Sequence, residues 1–396
     1  MKILFITPWF PSNRQDQIGN FILDSVEALA HMGHEIVVLV SRSWKPKSAC
    51  IISKFWINKD INIENLADNI HIHICQYFSI PRYVLSTISN WSFRKHVGHI
   101  AEKLVIQYQC QLIHAHTELA SVVAVDIGKK HGIPSVVTLH GISTAKKLYL
   151  NNKKLLFGYG LENISRVVLV GDPLGVFFKK LVSHHEHFRV VQNGFRAHHS
   201  KLVVKRKDTQ HIRLISVSHL HEGKGIDINL HALAKLNESG VKQWTYKIIG
   251  EGYEKKKLEK LARKLYLDDQ VKFIGACKHD EVYTHLSVAD VFILPSYREA
   301  FGVAYLEAMS FGLLVIGVEG QGPASFIENG KTGFLVKGRS IDSLLDTLKA
   351  IFRSLQKVLL IANTGKEYVH NNFTWYKHAE KLTNIYHELI KIYCQD

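Results

Sequence analysis

Cysteine is scarce and poorly spaced for a framework. The 396 residues hold five, Cys50, Cys75, Cys110, Cys277 and Cys394, an odd number with no C-x-x-C pair. That argues against a disulfide-stapled fold or a cysteine zinc site and fits a reducing compartment. Long apolar runs are missing as well: none approaches the roughly 20 residues that cross a bilayer. The N-terminal MKILFITPWF stops at Pro8 and lacks the apolar core and small-residue cleavage site of a secretory signal. We therefore expect a cytoplasmic protein, peripheral on the inner face of the cell membrane at most. No Asp-x-Asp pair stands out as a metal ligand, and no low-complexity stretch interrupts the chain.

What remains is ordinary for a folded protein, 46% hydrophobic and 21% charged, at a length better suited to two domains than one. The net charge of +15 is uneven. Residues 1–200 carry 22 Lys/Arg against 13 Asp/Glu, and residues 201–396 carry 28 against 22, so the basic excess leans to the first half. Such an excess suits nucleic acid, an anionic membrane or an anionic substrate. Nucleic acid would need a basic stripe with stacking aromatics; charge alone does not supply it, and none is expected. Two stretches combine cations with aromatics. Residues 42–59 hold Arg42, Lys45, Lys47, Lys54 and Lys59 with Trp44, Phe55 and Trp56; Lys146, Lys147, Lys153 and Lys154 flank Leu148, Tyr149 and Leu150. This composition fits a membrane-surface contact and a solvated basic face equally.

Short β-branched runs alternate with helical patterns. Strands are expected near residues 3–6, 36–40, 71–75, 112–115, 136–139, 167–170 and 190–191, then near 214–217, 246–249, 271–274, 291–294, 314–316 and 334–336. Between them Ile22, Val26 and Leu29 repeat at helical spacing before Gly33, and Leu258, Leu261, Ala262 and Leu265 do so among lysines. Alternation of this kind predicts α/β architecture with parallel sheets. The expected organisation is an N-terminal Rossmann-like domain over 1–195, a His/Lys/Ser-rich linker at 196–210, a second Rossmann-like domain over 211–372, and a C-terminal helical segment, 373–396, returning to the first domain. Doubly wound sheets bind ligands at the carboxyl ends of their strands, which places the expected ligand in a cleft between two facing domains.

One run carries chemistry: Leu294-Pro-Ser-Tyr-Arg-Glu299-Ala-Phe-Gly-Val-Ala-Tyr-Leu-Glu307-Ala-Met. An apolar strand ends at Pro295, a loop holds Glu299, and a helix starts near Gly302 with Glu307 in its second turn. A helix start presents free N–H groups and suits a diphosphate; a glycine there lets a ligand approach the backbone; carboxylates suit sugar or ribose hydroxyls. Two glutamates alone would more often be a solvated helix face. The surroundings change that. The segment, with Ile249-Gly-Glu-Gly252, Val271-Lys-Phe-Ile-Gly275, Ala289-Asp-Val-Phe-Ile-Leu-Pro-Ser296, Glu328-Asn-Gly-Lys-Thr-Gly-Phe-Leu-Val336, Thr138-Leu-His-Gly141 and Val191-Gln-Asn-Gly194, resembles the family 4 retaining glycosyltransferases of the GT-B fold over nearly the whole chain.

That resemblance implies transfer of a sugar from a nucleotide-diphosphate sugar to a glycan or lipid-linked acceptor, in surface polysaccharide or glycolipid synthesis, with no metal or other cofactor. It implies that Glu307 binds the donor ribose, that Glu299 meets the transferred sugar, and that Lys224 neutralises the donor diphosphate. Gly19 would lie against the phosphates, with Phe301, Gly302 and Val303 at the donor and His140 lining the sugar site. His219 stands where the family usually has Arg, a shorter and pH-dependent donor; Leu314, Ala324 and Ser325 also depart from the pattern. These departures leave open a catalytically inactive sugar-binding module. A same-fold epimerase or phosphorylase is a further alternative, although no lysine is identified for pyridoxal phosphate. Glu299 as a covalent nucleophile is the alternative to front-side attack. His114 and His116 share one face of a strand, but a metal needs a further ligand; structural or acceptor-site roles fit better. His184-His-Glu-His187 reads as a solvated loop.

Overall fold

The computed structural model describes residues 1–14, 16, 18–44, 61–79, 86–141, 154–196 and 211–395. The basic–aromatic stretches at 42–59 and 146–154 and the linker at 196–210 lie, apart from their ends, outside the described residues. The chain divides into two compact units, one of Met1–Gln192 with Trp375–Asp396, the other of Asn193–Thr374.

The first unit holds β1 (Lys2–Thr7), β2 (Glu35–Trp44), β3 (Ile70–Phe78), β4 (Leu112–Ala115), β5 (Ser135–Leu139), β6 (Arg166–Leu169) and β7 (Phe188–Val190). They pair in parallel in the order β3-β2-β1-β4-β5-β6-β7. Its helices are α1 (Asn20–His31), α2 (Ser86–Tyr108), α3 (Glu118–His131), α4 (Lys154–Asn163) and α5 (Asp172–Phe178). The strands are runs of Ile, Val, Leu and Phe because helices cover both faces of a parallel sheet. Ile22, Val26 and Leu29 of α1 are buried with Ile3 and Phe5 of β1 in one core, as their helical spacing demands.

The second unit holds β8 (Ile212–Val217), β9 (Trp244–Ile249), β10 (Val271–Gly275), β11 (Val291–Ile293), β12 (Leu314–Val318) and β13 (Phe334–Val336), parallel in the order β10-β9-β8-β11-β12-β13. Its helices are α6 (Ile226–Glu238), α7 (Lys255–Lys264), α8 (His279–Ser287), α9 (Val303–Ser310), α10 (Ile341–Arg353) and α11 (Leu355–Asn372). Both sheets reverse direction of growth at one place, between β1 and β4 and between β8 and β11. These are the positions where doubly wound sheets take ligands.

The last helix, α12 (Trp375–Tyr393), belongs to the first unit. Ala379, Leu382, Ile385, Tyr386 and Leu389 complete the core around α1. His378 bonds Ser25 Oγ through Nε2 (3.0 Å) and the Gln192 carbonyl through Nδ1 (2.8 Å). Arg166 donates to Glu388 at 2.6 Å.

Candidate active site

The second unit's switch point brings together the loops after β8 and β11. After β8 a short 3-10 turn spans Glu222–Lys224. It is capped by His221, whose Nδ1 accepts from the Gly223 N–H at 3.1 Å. Burial, followed by the nearby Lys224 and His219, lowers the pKa of this imidazole and favours the neutral form that can accept. The Gly223 carbonyl accepts from the Tyr297 N–H (3.0 Å) and from Ser296 Oγ (3.1 Å), which fastens the turn to the loop after β11. The result is a Lys224 Nζ–Glu299 Oε2 contact of 2.7 Å between side chains only 16% and 14% exposed. Glu299 is held from its other side as well. Its N–H donates to Gln321 Oε1 (3.1 Å), and its carbonyl accepts from the Gly322 N–H (2.9 Å).

Gly302 then starts α9 at φ 97°. A Cβ there would lie 2.7 Å from Tyr305 Cδ2, so both backbone and neighbour require glycine. The Tyr305 hydroxyl donates to the Leu294 carbonyl and pins the helix start to the end of β11. The first N–H groups of a helix have no partner within it; at α9 the Tyr305 N–H already donates to the Gly302 carbonyl at 3.0 Å, which leaves those of Val303 and Ala304. Glu307 lies further along α9, its Oε1 at 3.0 Å from His279 Nε2 of α8, with side chains 13% and 27% exposed. The Phe301 side chain is buried and packs against Phe326 and Phe373. Val303 is the first residue of α9 and half-buried. His219 is exposed, with its ring 6.0 Å from His221. The imidazole that shapes the lysine turn is His221.

The first unit's switch point has a different chemistry. Trp9, Gly19, Phe21, His116, Glu118 and His140 line a cavity of about 310 Å³. Gly19 has φ 87°, and a Cβ on it would meet the Trp9–Phe10 backbone at 2.7 Å; the loop closes only with glycine. His116 Nδ1 and His140 Nε2 are 3.0 Å apart, and the ring of His116 stacks on that of His114 at 4.4 Å. His114 lies behind them, satisfied by the Tyr386 hydroxyl (2.6 Å) and Thr138 Oγ1 (2.7 Å). Burial lowers the pKa of all three histidines, that of His140 to about 3. Among the described residues no group of three His, Cys, Asp or Glu is placed to hold a metal ion. His184 and His185 are exposed, and His187 bonds the Leu161 carbonyl at 2.9 Å.

Sequence reasoning missed His221, Gln321, His279, Trp9 and Glu118. A histidine ahead of Glu-Gly-Lys could have signalled a cap. Gln321 and His279 act across 22 and 28 residues of chain and leave no local signal.

Two family models divide this chain: Glycosyltransferase Family 4 over residues 18–199 and Glycosyl transferases group 1 over residues 200–367. The chain belongs to this group of glycosyltransferases. Among curated relatives, the gpi3 subunit of phosphatidylinositol N-acetylglucosaminyltransferase from Schizosaccharomyces pombe is 23% identical over 72% of this chain and 63% of its own length. The chain thus spans less than two thirds of that relative. N-acetyl-alpha-D-glucosaminyl L-malate synthase of Bacillus anthracis is 25% identical over 92% of this chain and 91% of the relative. Sucrose-phosphate synthase from Thermosynechococcus elongatus superposes with a TM-score of 0.77 at 20% identity, covering 99% of each chain. Anabaena Alr3699/HepE in complex with UDP does so at 0.73 and 18%, covering 98% of this chain and 100% of that one. The fold is GT-B, two Rossmann-like parallel-sheet units.

Proposed function

We propose that the chain is a retaining glycosyltransferase that moves a hexosyl group from a nucleoside-diphosphate sugar to a glycan or lipid-linked acceptor. The observation that carries this reading is the Lys224–Glu299 pair at the β8/β11 switch point, beside the start of α9 and with Glu307 further along that helix. As the glycosidic bond breaks, charge develops on the diphosphate. Lys224 has three donors, so it can hold Glu299 and a phosphate oxygen together, and the α9 N–H groups add a second source of positive potential. Preorganised donors of this kind are worth about 3–4 kcal/mol each in a transition state. On this reading the leaving group needs no metal. Glu307, steadied through one oxygen by His279, keeps the other for the ribose. Glu299 is tied up by Lys224, which makes it a poor nucleophile and favours front-side attack with retention; it orients the transferred sugar instead. Gly19 and His140 serve the donor and its sugar from the first unit, and UDP in the Anabaena neighbour supports the nucleotide class.

We further propose work in surface polysaccharide or glycolipid synthesis, which the phosphatidylinositol named for the Schizosaccharomyces pombe relative supports, at the cytoplasmic membrane face. Trp44, Phe78 and Trp91 are exposed on the first unit, and Lys95 Nζ lies 5.0 Å from the Trp91 ring. Aromatics and a cation together suit a bilayer interface, and no described helix is long and apolar enough to cross a membrane. The test is a nucleotide-sugar panel read by thermal shift and nucleotide release. The cognate donor at 100 times its Kd should stabilise the fold by about 2.7 kcal/mol, and Glu307→Ala should weaken its binding at least tenfold. A panel in which no nucleotide sugar stabilises the chain sinks the reading.

A further inference from the structure

The turn between β13 and α10 is closed by the Ser340 N–H, which donates to the Lys337 carbonyl at 3.3 Å. Arg339 is its third residue and has φ 61°. That left-handed conformation normally selects Gly or Asn, and a residue with a long side chain adopts it only at an energetic cost. The side chain shows what it is held against. Arg339 Cζ lies 4.3 Å from the centroid of the Tyr297 ring, within cation–π range. Gly338, the residue before it, also backs onto Tyr297: a Cβ there would stand 3.8 Å from Tyr297 Cβ. Arg298 reaches the same ring more distantly, at 6.0 Å. Burial, then the Glu222 carboxylate, raises the pKa of the Tyr297 hydroxyl, with Arg339 opposing, so the ring meets the guanidinium as a neutral aromatic. Tyr297 is half-buried, two residues before Glu299 in the loop after β11. Its N–H is the donor that fastens the Gly223 carbonyl at 3.0 Å, and with it the turn that carries Lys224. A backbone cost kept beside a functional pair is an outlier from which a role can be read.

We propose that Arg339 is a positioning residue for the diphosphate site: its guanidinium pins the Tyr297 ring, and the pinned loop holds Lys224 and Glu299 in register. The proposal deepens the glycosyltransferase reading and rests on it for the identity of the ligand. Arg339 acts through Tyr297 rather than on the ligand. The Gly223 carbonyl belongs to the peptide that leads into Lys224, and Tyr297 leads through Arg298 into Glu299. A rotation of the Tyr297 peptide therefore moves both members of the 2.7 Å pair. The contact also ties together two loops whose strands, β11 and β13, are separated in the sheet by β12. Placement matters because a preorganised donor works only at its set distance from the developing charge. The strain at Arg339 is offset by what its side chain fixes on Tyr297.

Arg339→Gly removes the cation and the strain together, so its two consequences have opposite signs. On the full chain, hydrogen exchange of peptides covering residues 219–225 and 295–302 should quicken, while the thermal midpoint holds or rises because glycine takes the left-handed turn freely. UDP, GDP and ADP, each beside its nucleoside, are the binding probes. For the nucleotide that the unaltered chain binds best, Arg339→Gly should lower the diphosphate's advantage over the nucleoside about three- to fivefold, the size of one cation–π contact at an exposed site. Nucleoside affinity itself should stay within about twofold, since the substitution leaves the fold intact. Tyr297→Phe keeps an aromatic face for the cation and should retain most of the advantage. Tyr297→Leu should lose as much as Arg339→Gly, and the double variant no more than either alone, the mark of one shared contact. Unchanged exchange at both loops, a midpoint that falls together with nucleoside affinity, or effects that multiply in the double variant overturns the proposal. If none of the three diphosphates binds the unaltered chain, the glycosyltransferase reading falls. The exchange rates of residues 219–225 and 295–302 still decide whether Arg339 holds the two loops.

Discussion

The two switch points occupy equivalent positions in two sheets of the same winding, yet they are built from opposite materials. In the second unit carboxylates are held by nitrogen groups: Lys224 on Glu299 and His279 on Glu307. In the first unit the polar groups are stacked imidazoles held neutral by burial, walled by Trp9 and Phe21. The same fold thus sets buried ion pairing at one place and neutral imidazoles among aromatics at the other. Position in the sheet says where a ligand goes; only the side chains say what kind.

The largest expected effect separates the two places cleanly. Lys224→Met should lower nucleotide-diphosphate release from the cognate donor by about 10²–10³, the range for losing one preorganised donor, while hydrogen-exchange protection in the first unit is unchanged. A matching loss of protection there would mean the two places are not independent. Acid should break the comparison from the other side. His378 is buried with its pKa lowered to about 4, His140 to about 3, and His114 and His116 are lowered well below the ordinary histidine value. Unfolded, each takes a proton near pH 6.5; folded, each resists it. Their stability contribution is therefore whole above about pH 6.5 and is lost as pH falls towards 4, at about 1.4 kcal/mol per pH unit for each group. Hydrogen exchange at pH 5 should open peptides of the first unit before those of the second, and the reverse order would refute the account. A smaller change tests Glu307: without its 3.0 Å partner in His279→Ala, donor affinity should fall about 3–10-fold, near 1 kcal/mol for one lost orienting bond. Smallest is His219→Arg, expected to raise nucleotide affinity by no more than about threefold, because position 219 is exposed and charge is screened there.

Much of the fold was legible because each strand is a short run of apolar, largely β-branched residues. The runs expected at 112–115 and 334–336 coincide with β4 and β13 to the residue. The start of α9 was readable from Pro295 and Gly302, whose roles are local. What escaped depends on distance along the chain. Glu299 leans on Gln321, Glu307 on His279, and His116 on His140, pairings that only the sheet order creates. His219 and His221 differ by two residues on a turn, and sequence favoured the one that faces water. The resemblance placed Phe301 at the donor, while the aromatic cluster that its side chain joins comes from residues 326 and 373.

The placement of α12 has a consequence for biogenesis. The chain leaves the first unit after Gln192 and comes back at Trp375, and the strands of that exit and return are joined where the Phe195 N–H meets the Phe373 carbonyl at 3.0 Å. On a ribosome, residues 193–374 are complete while the first unit still lacks four large side chains of its core, Leu382, Ile385, Tyr386 and Leu389. At about 1.5–3 kcal/mol for each large apolar group buried, that deficit rivals the 5–15 kcal/mol by which a typical domain is stable. The half synthesised first is therefore the half that finishes folding last, and a stop codon a few turns before the C-terminus would damage the N-terminal unit while sparing the one encoded beside it.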